Sequence, residues 1–217
     1  MIRIYPSLIS ANLLNLEHDI KILEPYCAGF HLDIMDNHFV PNLTFGVDMI
    51  QAISKATRKQ LWVHLMVENP RSWIESLNLP PQTILSFHIE STDLPLDIIK
   101  RIKEKKWLAS IAISPKTGVD EIFPFLNLID QVLVMSVEPG FSGQRFLDAT
   151  IDKIAPLVAH RDTQGLHFTI GFDGGITPEN IGLLVKKGVT DFAAASAIFS
   201  NQHPKEALEQ LQKGAKK

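Results

Sequence analysis

A single cysteine, Cys27, stands among the 217 residues, so no internal disulfide can form and a disulfide-built secreted scaffold is excluded. No apolar run approaches the ~18 residues of a membrane span. The N-terminal Met1-Ile2-Arg3-Ile4-Tyr5-Pro6-Ser7 has no long apolar stretch behind a basic start, so no secretory signal is expected. Excess charge is also missing: 21 Lys and Arg face 24 Asp and Glu, a formal charge of -3. Without a basic field, neither a nucleic acid nor an anionic membrane is expected as a partner. A cytoplasmic setting is expected from the lone cysteine and the lack of a signal or span. A small anionic ligand stays open, because a few backbone donors can hold a phosphate without net positive charge. With 45% hydrophobic and 21% charged residues, the chain reads as globular rather than disordered.

Two kinds of segment alternate along the chain. Short β-branched or apolar runs occur at residues 3–8, 30–34, 61–65, 83–87, 107–113, 131–135, 167–172 and 191–195. Between them lie stretches with helical spacing, among them Leu14-Leu16-Ile20-Ile22-Leu23, Leu96-Ile98-Ile99-Ile102, Ile181-Leu183-Leu184-Val185 ahead of Gly188, and a last one at 204–212. Eight strand candidates, each followed by a helix candidate, predict a (β/α)8 TIM barrel, with an open doubly wound sheet as the alternative. The chain is near the ~200-residue lower limit of that barrel. One catalytic domain over residues 1–217 is therefore expected, with no linker.

Barrel sites form at the C-terminal strand ends. In Phe30-His31-Leu32-Asp33-Ile34-Met35, alternation sets His31, Asp33 and Met35 on one face and the apolar residues on the other. Taken alone, this reads as easily as a structural His–Asp pair. Further strand ends carry His64 and Met66, then His88, then Asp173 ahead of Gly174-Gly175. His31, Asp33, His64 and Asp173 at one mouth would suit a divalent transition cation such as Zn, Fe, Mn or Co; separate structural pairs are the competing reading. His88 is the weakest candidate, an anchor for a loop or for a substrate hydroxyl. Phosphate has its own signal in Gly140-Phe141-Ser142-Gly143 after strand six, Gly174-Gly175 after strand seven, and Ala195-Ser196 after strand eight. Any one of these could be a plain tight turn, but three in consecutive loops favour an anion.

These segments resemble the ribulose-phosphate 3-epimerase family nearly end to end. The likeness runs through Pro6-Ser7-Leu8, His31-Leu32-Asp33-Ile34-Met35-Asp36, His38-Phe39-Val40-Pro41-Asn42, His64-Leu65-Met66-Val67 and Phe87-His88. It continues in Met135-Ser136-Val137-Glu138-Pro139-Gly140-Phe141, Gly143-Gln144, Asp173-Gly174-Gly175 and Ser196-Ala197-Ile198-Phe199. The resemblance implies a phosphate-binding barrel that uses one divalent metal to interconvert D-ribulose 5-phosphate and D-xylulose 5-phosphate through an enediolate. It places the metal on His31, Asp33, His64 and Asp173 and the two acid/base groups on Asp33 and Asp173. It sets Ser7 and His64 near the substrate, lines the pocket with Met35, Met66 and Met135, and gives the phosphate to Gly140, Phe141, Ser142, Gly143, Gly174, Gly175, Ala195 and Ser196. A homo-oligomer is also implied.

Two carboxylates suit such chemistry, since inversion removes a proton from one face of a carbon and returns one to the other. The chain departs from the family pattern at Asn37, Ser142, Ala195 and Gly171-Phe172, none of them a ligand. Ser142 would be strained if its φ were positive, the methyl of Ala195 could crowd a phosphate, and Asn37 tolerates the left-handed region. Three other readings compete. An epimerase of a ketohexose phosphate such as D-allulose 6-phosphate is one, and a non-catalytic sugar-phosphate-binding barrel is another. A metal-independent decarboxylase is disfavoured, because its Asp-x-Lys-x-x-Asp motif is matched only by Asp19-Ile20-Lys21 with Glu24, in a predicted helix. The apolar loop at 39–45 could be a lid, an interface or a packed connection.

Overall fold

In the computed structural model, which describes residues 2–217, every expected strand forms: β1 (Arg3–Pro6), β2 (Gly29–Met35), β3 (Gln60–Met66), β4 (Ile84–His88), β5 (Leu108–Ile113), β6 (Gln131–Met135), β7 (Thr169–Asp173) and β8 (Asp191–Ala194). All are parallel, in the order β1-β8-β7-β6-β5-β4-β3-β2. The seam between β1 and β2 is joined by a parallel bridge from Ser7 to His31 and by the Ala28 N–H donating to the Ile4 carbonyl at 3.1 Å. The result is a nearly closed (β/α)8 barrel, and its last seam is zipped beside the residues that matter most.

Around it run α1 (Leu16–Leu23), α2 (Val47–Ala56), α3 (Pro70–Ser76), α4 (Pro95–Glu104), α5 (Ile154–Gln164), α6 (Ile181–Lys186), α7 (Ser196–Phe199) and α8 (Pro204–Gly214). Their buried stripes, such as Ile98, Ile99 and Ile102 of α4 and Leu208 and Leu211 of α8, pack onto Phe30, Leu32, Ile34 and their neighbours on the outer strand faces. The apolar spacing overstates these stripes. Leu14 precedes α1 and is fully exposed, and Leu96 and Leu183 lie largely in solvent, off the roughly 100° apolar face a helix buries. The expected helix after β5 is instead a 3-10 stretch, Val119–Phe125, with Pro124 inside it. Proline lacks the N–H and crowds the preceding turn, which disfavours a regular α-helix there. Asp19 and Lys21 lie within α1, away from any strand end. No helix among the described residues is long and apolar enough to cross a membrane.

Inward-facing residues fill the barrel, with Tyr5, Trp62, Ile84, Ala112, Leu133 and Ala193 packed together. Trp62 is fully buried and donates its indole N–H to Ser86 Oγ at 2.7 Å. Space for that ring comes from β7, where a Cβ on Gly171 would stand 2.7 Å from Trp62 Cη2. One unusual residue of the seventh strand is thus accounted for by an aromatic on the third. Gly171→Ala is expected to cost about 1–3 kcal/mol of stability through overpacking. Adding Trp62→Phe should return part of that loss in urea unfolding, whereas strictly additive losses would exclude the contact as the cause.

Candidate active site

Period-two alternation on β2 turns His31, Asp33 and Met35 into the barrel mouth. Register does the rest: Asp33 lies beside His64 and Met35 beside Met66 across β2 and β3, while Met135 lies beside Asp173 across β6 and β7. One ligand atom from each of His31, Asp33, His64 and Asp173 falls within 4.8 Å of the others. His31 Nδ1 is 3.2 Å from Asp33 Oδ2, and its Nε2 is 3.9 Å from Asp173 Oδ2. His64 Nδ1 lies between the acids, 3.5 Å from Asp33 Oδ1 and 3.4 Å from Asp173 Oδ2. Ser7, at the barrel seam, donates its hydroxyl hydrogen to Asp33 Oδ2 at 2.5 Å.

The cluster is short of positive charge. Burial opposes ionisation of Asp33, but the charge and hydrogen bond of His31, joined by His64, hold its carboxyl well below the usual carboxylate range. Burial likewise disfavours a charged His64, yet contacts with Asp173 and Asp33 push it up to about 9. Two buried nitrogens, His31 Nε2 and His64 Nδ1, have no hydrogen-bond partner. An unpaired buried polar atom costs about 1–3 kcal/mol, so two in one site need a reason. Two imidazole lone pairs and two carboxylates turned toward one another are a donor set that fits a divalent transition cation.

Above this floor opens a solvent-accessible cleft. Ser7, Asp33, Met35, Met66, Met135, Asp173, Gly140, Phe141, Ser142, Gly143, Gly174, Gly175, Ala195 and Ser196 all line it. His31 and His64 do not reach its wall; both are fully buried beneath it. Gly174 and Gly175 have φ of 112° and 61°, and added Cβ atoms would stand 2.5 Å from Val137 Cγ2 and 2.6 Å from the Phe146 backbone nitrogen. Only glycine serves there. Asn37 takes the left-handed region with φ 59°, as its side chain allows, whereas Ser142 is not among the residues of positive φ, so the anticipated strain does not arise. Ala195 precedes α7 in an irregular conformation, φ -101° and ψ -90°. The loop at 39–45 is largely a packed connection: Val40 is buried on Met35 and Met66, and Asn42 donates to the Gly140 carbonyl at 2.8 Å. Pro41 and Leu43 are its exposed residues, Leu43 the more so for its size.

The residue pattern offers little hint of several cleft residues, including Ile9, Ile176 and Ala193, because an apolar residue looks the same at a cleft wall as in a core. Gln144 clasps its own loop, donating to the carbonyls of Glu138 at 2.7 Å and Phe141 at 2.9 Å. His88 is fully buried and does not line the cleft. Its Nε2 lies 2.9 Å from His64 Nε2 and its Nδ1 3.1 Å from Glu90 Oε2. Burial opposes ionisation of Glu90, but bonds from His88, Thr117 and Ser114 bring its carboxyl down to about 2.

Comparison with known proteins agrees with this geometry. The family model described as Ribulose-phosphate 3 epimerase family matches residues 3–199. A ribulose-phosphate 3-epimerase of Methanocaldococcus jannaschii is 39% identical, the alignment covering 99% of this chain and 92% of that protein. The cytoplasmic isoform from Oryza sativa is 37% identical over 97% and 93% of the two chains, and the Bacillus subtilis protein 34% over 97% and 98%. Among solved structures, a KGPDC from Streptococcus mutans superposes with a TM-score of 0.73 at 13% identity, covering 99% of this chain and 97% of that one. A 3-hexulose-6-phosphate synthase gives 0.66 at 13%, covering 98% and 99%. At such identities these two structures share the fold.

Proposed function

The chain belongs to the ribulose-phosphate 3-epimerase family and is a carbohydrate epimerase, and from that premise we propose that it inverts C3 of D-ribulose 5-phosphate by proton transfer between Asp33 and Asp173. The observation that carries this reading is the convergence of two acids and two unpartnered imidazole nitrogens on one point at the floor of a glycine-edged cleft.

A hydrogen beside a carbonyl is acidic enough to leave as a proton if a base stands over it and the charge left behind is stabilised. A single fixed base would mostly return the proton to the face it came from. Asp33 and Asp173 come from β2 and β7, three strand positions apart around the ring, so they can address a sugar carbon from different sides. Each would act in turn as base and acid. The Ser7 hydroxyl, bonded to Asp33 Oδ2, holds that carboxylate in one orientation. Asp173 has no such hydroxyl clamp: its backbone carbonyl accepts from Ser136 Oγ at 2.9 Å, leaving the side chain freer to turn its oxygens. The Met35, Met66 and Met135 side chains bring polarisable, aprotic bulk to the cleft, keeping water and stray proton donors from the reacting carbon. Backbone N–H groups at Gly174, Gly175 and Ser196, close to the cleft wall, suit the phosphate.

His31, Asp33, His64 and Asp173 would hold a divalent cation, which when bound supplies positive charge to offset the oxyanion that develops on the substrate. We read residues 1–217 as one catalytic domain. Purified protein assayed in parallel on D-ribulose 5-phosphate and D-allulose 6-phosphate tests the proposal. Preferred turnover of the pentulose supports it, preferred turnover of the hexulose redirects the substrate, and binding of both without turnover makes the chain a sugar-phosphate-binding protein.

A further inference from the structure

His88 is a buried imidazole that the two-acid chemistry leaves unused, yet it touches a member of the donor cluster. A contact between two ring nitrogens needs one hydrogen and one lone pair, so the 2.9 Å approach of His64 Nε2 and His88 Nε2 has a direction that some other group must set. On the far side of His88 stands Glu90, whose Oε2 lies 3.1 Å from Nδ1. An ionised carboxylate can only accept. It therefore fixes the hydrogen on His88 Nδ1, with Ser114 Oγ at 3.4 Å as a second acceptor. Neutral His88 then has a bare Nε2, which accepts from His64 Nε2–H. Neutral His64 in turn has its lone pair on Nδ1, the nitrogen left without a hydrogen-bond partner between Asp33 and Asp173.

We propose that Glu90 and His88 are positioning residues, a carboxylate–imidazole–imidazole relay that sets His64 in the tautomer whose Nδ1 lone pair faces the candidate cation site. The inference rests on the metal-site reading of the preceding section. The relay is built to hold still. Glu90 Oε1 accepts from the Ser114 backbone N–H at 2.8 Å and from the Thr117 hydroxyl. Lys153 Nζ, in turn, donates to the carbonyls of Ser114 at 2.8 Å and Thr117 at 2.5 Å, fastening the loop after β5 that grips the carboxylate. The Phe39 ring, 4.8 Å from the His88 ring, covers the imidazole. His31 needs no such arrangement, because Asp33 within the cluster already faces its Nδ1 and leaves Nε2 bare. Partners behind metal-bound histidines commonly fix tautomer and ring orientation, and losing one typically costs 10–100-fold in affinity.

Glu90→Gln reverses the direction at constant size. Its carbonyl oxygen can keep the Ser114 and Thr117 bonds, which turns the amide NH2 toward His88 Nδ1 and drives the His88 hydrogen to Nε2, against His64 Nε2–H. Zinc titration of wild type and variant in competition with a chelator is expected to show an affinity loss of roughly 10–100-fold. In zinc-loaded wild type labelled with 15N-histidine, His88 is expected to show a protonated Nδ1 and a bare Nε2. The spectrum of the wild type needs no variant to fold. A proton on His88 Nε2 in that spectrum, or wild-type zinc affinity in Glu90→Gln, would overturn the relay while leaving the metal site intact. A wild type that takes up no zinc would remove the metal-site reading and the relay with it.

Discussion

Asp33→Asn and Asp173→Asn are each expected to lower kcat by at least roughly 10³-fold, toward the upper end of what a positioned proton-transfer group contributes. Asparagine keeps the shape of the acid but offers no basic oxygen for a proton. The two variants should also fail for different secondary reasons. Asp33 is nearly buried and takes the Ser7 hydroxyl hydrogen on one oxygen, so an amide there disturbs the seam of the barrel as well as the chemistry. The Asp173 side chain is freer, and its loss should leave the fold less affected. KM should move much less than kcat in both, because the proposed phosphate grip comes from the glycine-edged loops rather than from either carboxylate. Steady-state kinetics alongside circular dichroism and metal content separates these effects. Turnover close to wild type in both variants would reject the two-acid assignment.

Removal of a bound divalent cation is expected to lower turnover steeply and to change how stability responds to pH. Charge stabilisation of this kind is worth several kcal/mol in the transition state, so chelated protein should lose at least roughly 10²-fold in rate and regain it with added divalent ion. His31→Ala should not regain it at the same ion concentration, having lost one of the two unpartnered nitrogens. In chelated protein a proton on His64 takes over part of the missing charge. Burial disfavours that proton, but the flanking Asp173 and Asp33 outweigh it and raise the imidazole from 6.5 to about 9. A raised value in the folded state adds stability that is fully present below pH 6.5 and fades as the pH climbs through about 9. The melting temperature of chelated protein should therefore fall across that window. Added cation, which stabilises by about 2.7 kcal/mol at a hundred times its Kd, should help most at the alkaline end. A melting temperature unaffected by cation at every pH would contradict a metal site at this position.

The barrel was legible because its signals are local. Each strand is a short apolar run, and period-two alternation told which of His31, Leu32, Asp33 and Ile34 face inward before any contact was known. The His/Asp cluster was legible for the same reason, since parallel register carries strand-end residues to one mouth. What stayed hidden depends on pairs far apart in the chain. Gly171 looked like a stray departure until Trp62, more than a hundred residues earlier, was seen filling the space above it. His88 could be read only as a minor anchor, because its meaning comes from two neighbours at once, His64 on the next strand and Glu90 two residues on. The strain expected at Ser142 turned on a backbone angle that residue type alone does not fix.

The central claim is that one acid takes the proton and another gives it back. The direct test is to run the reaction in heavy water and examine C3 of product and recovered substrate by mass spectrometry and NMR at low conversion. Deuterium at the inverted carbon of the first-formed product, with the original hydrogen kept in unreacted substrate, is the expected result. Product that carries the substrate's own hydrogen would mean that a single group serves both faces, and the assignment of Asp33 and Asp173 as partners would fall.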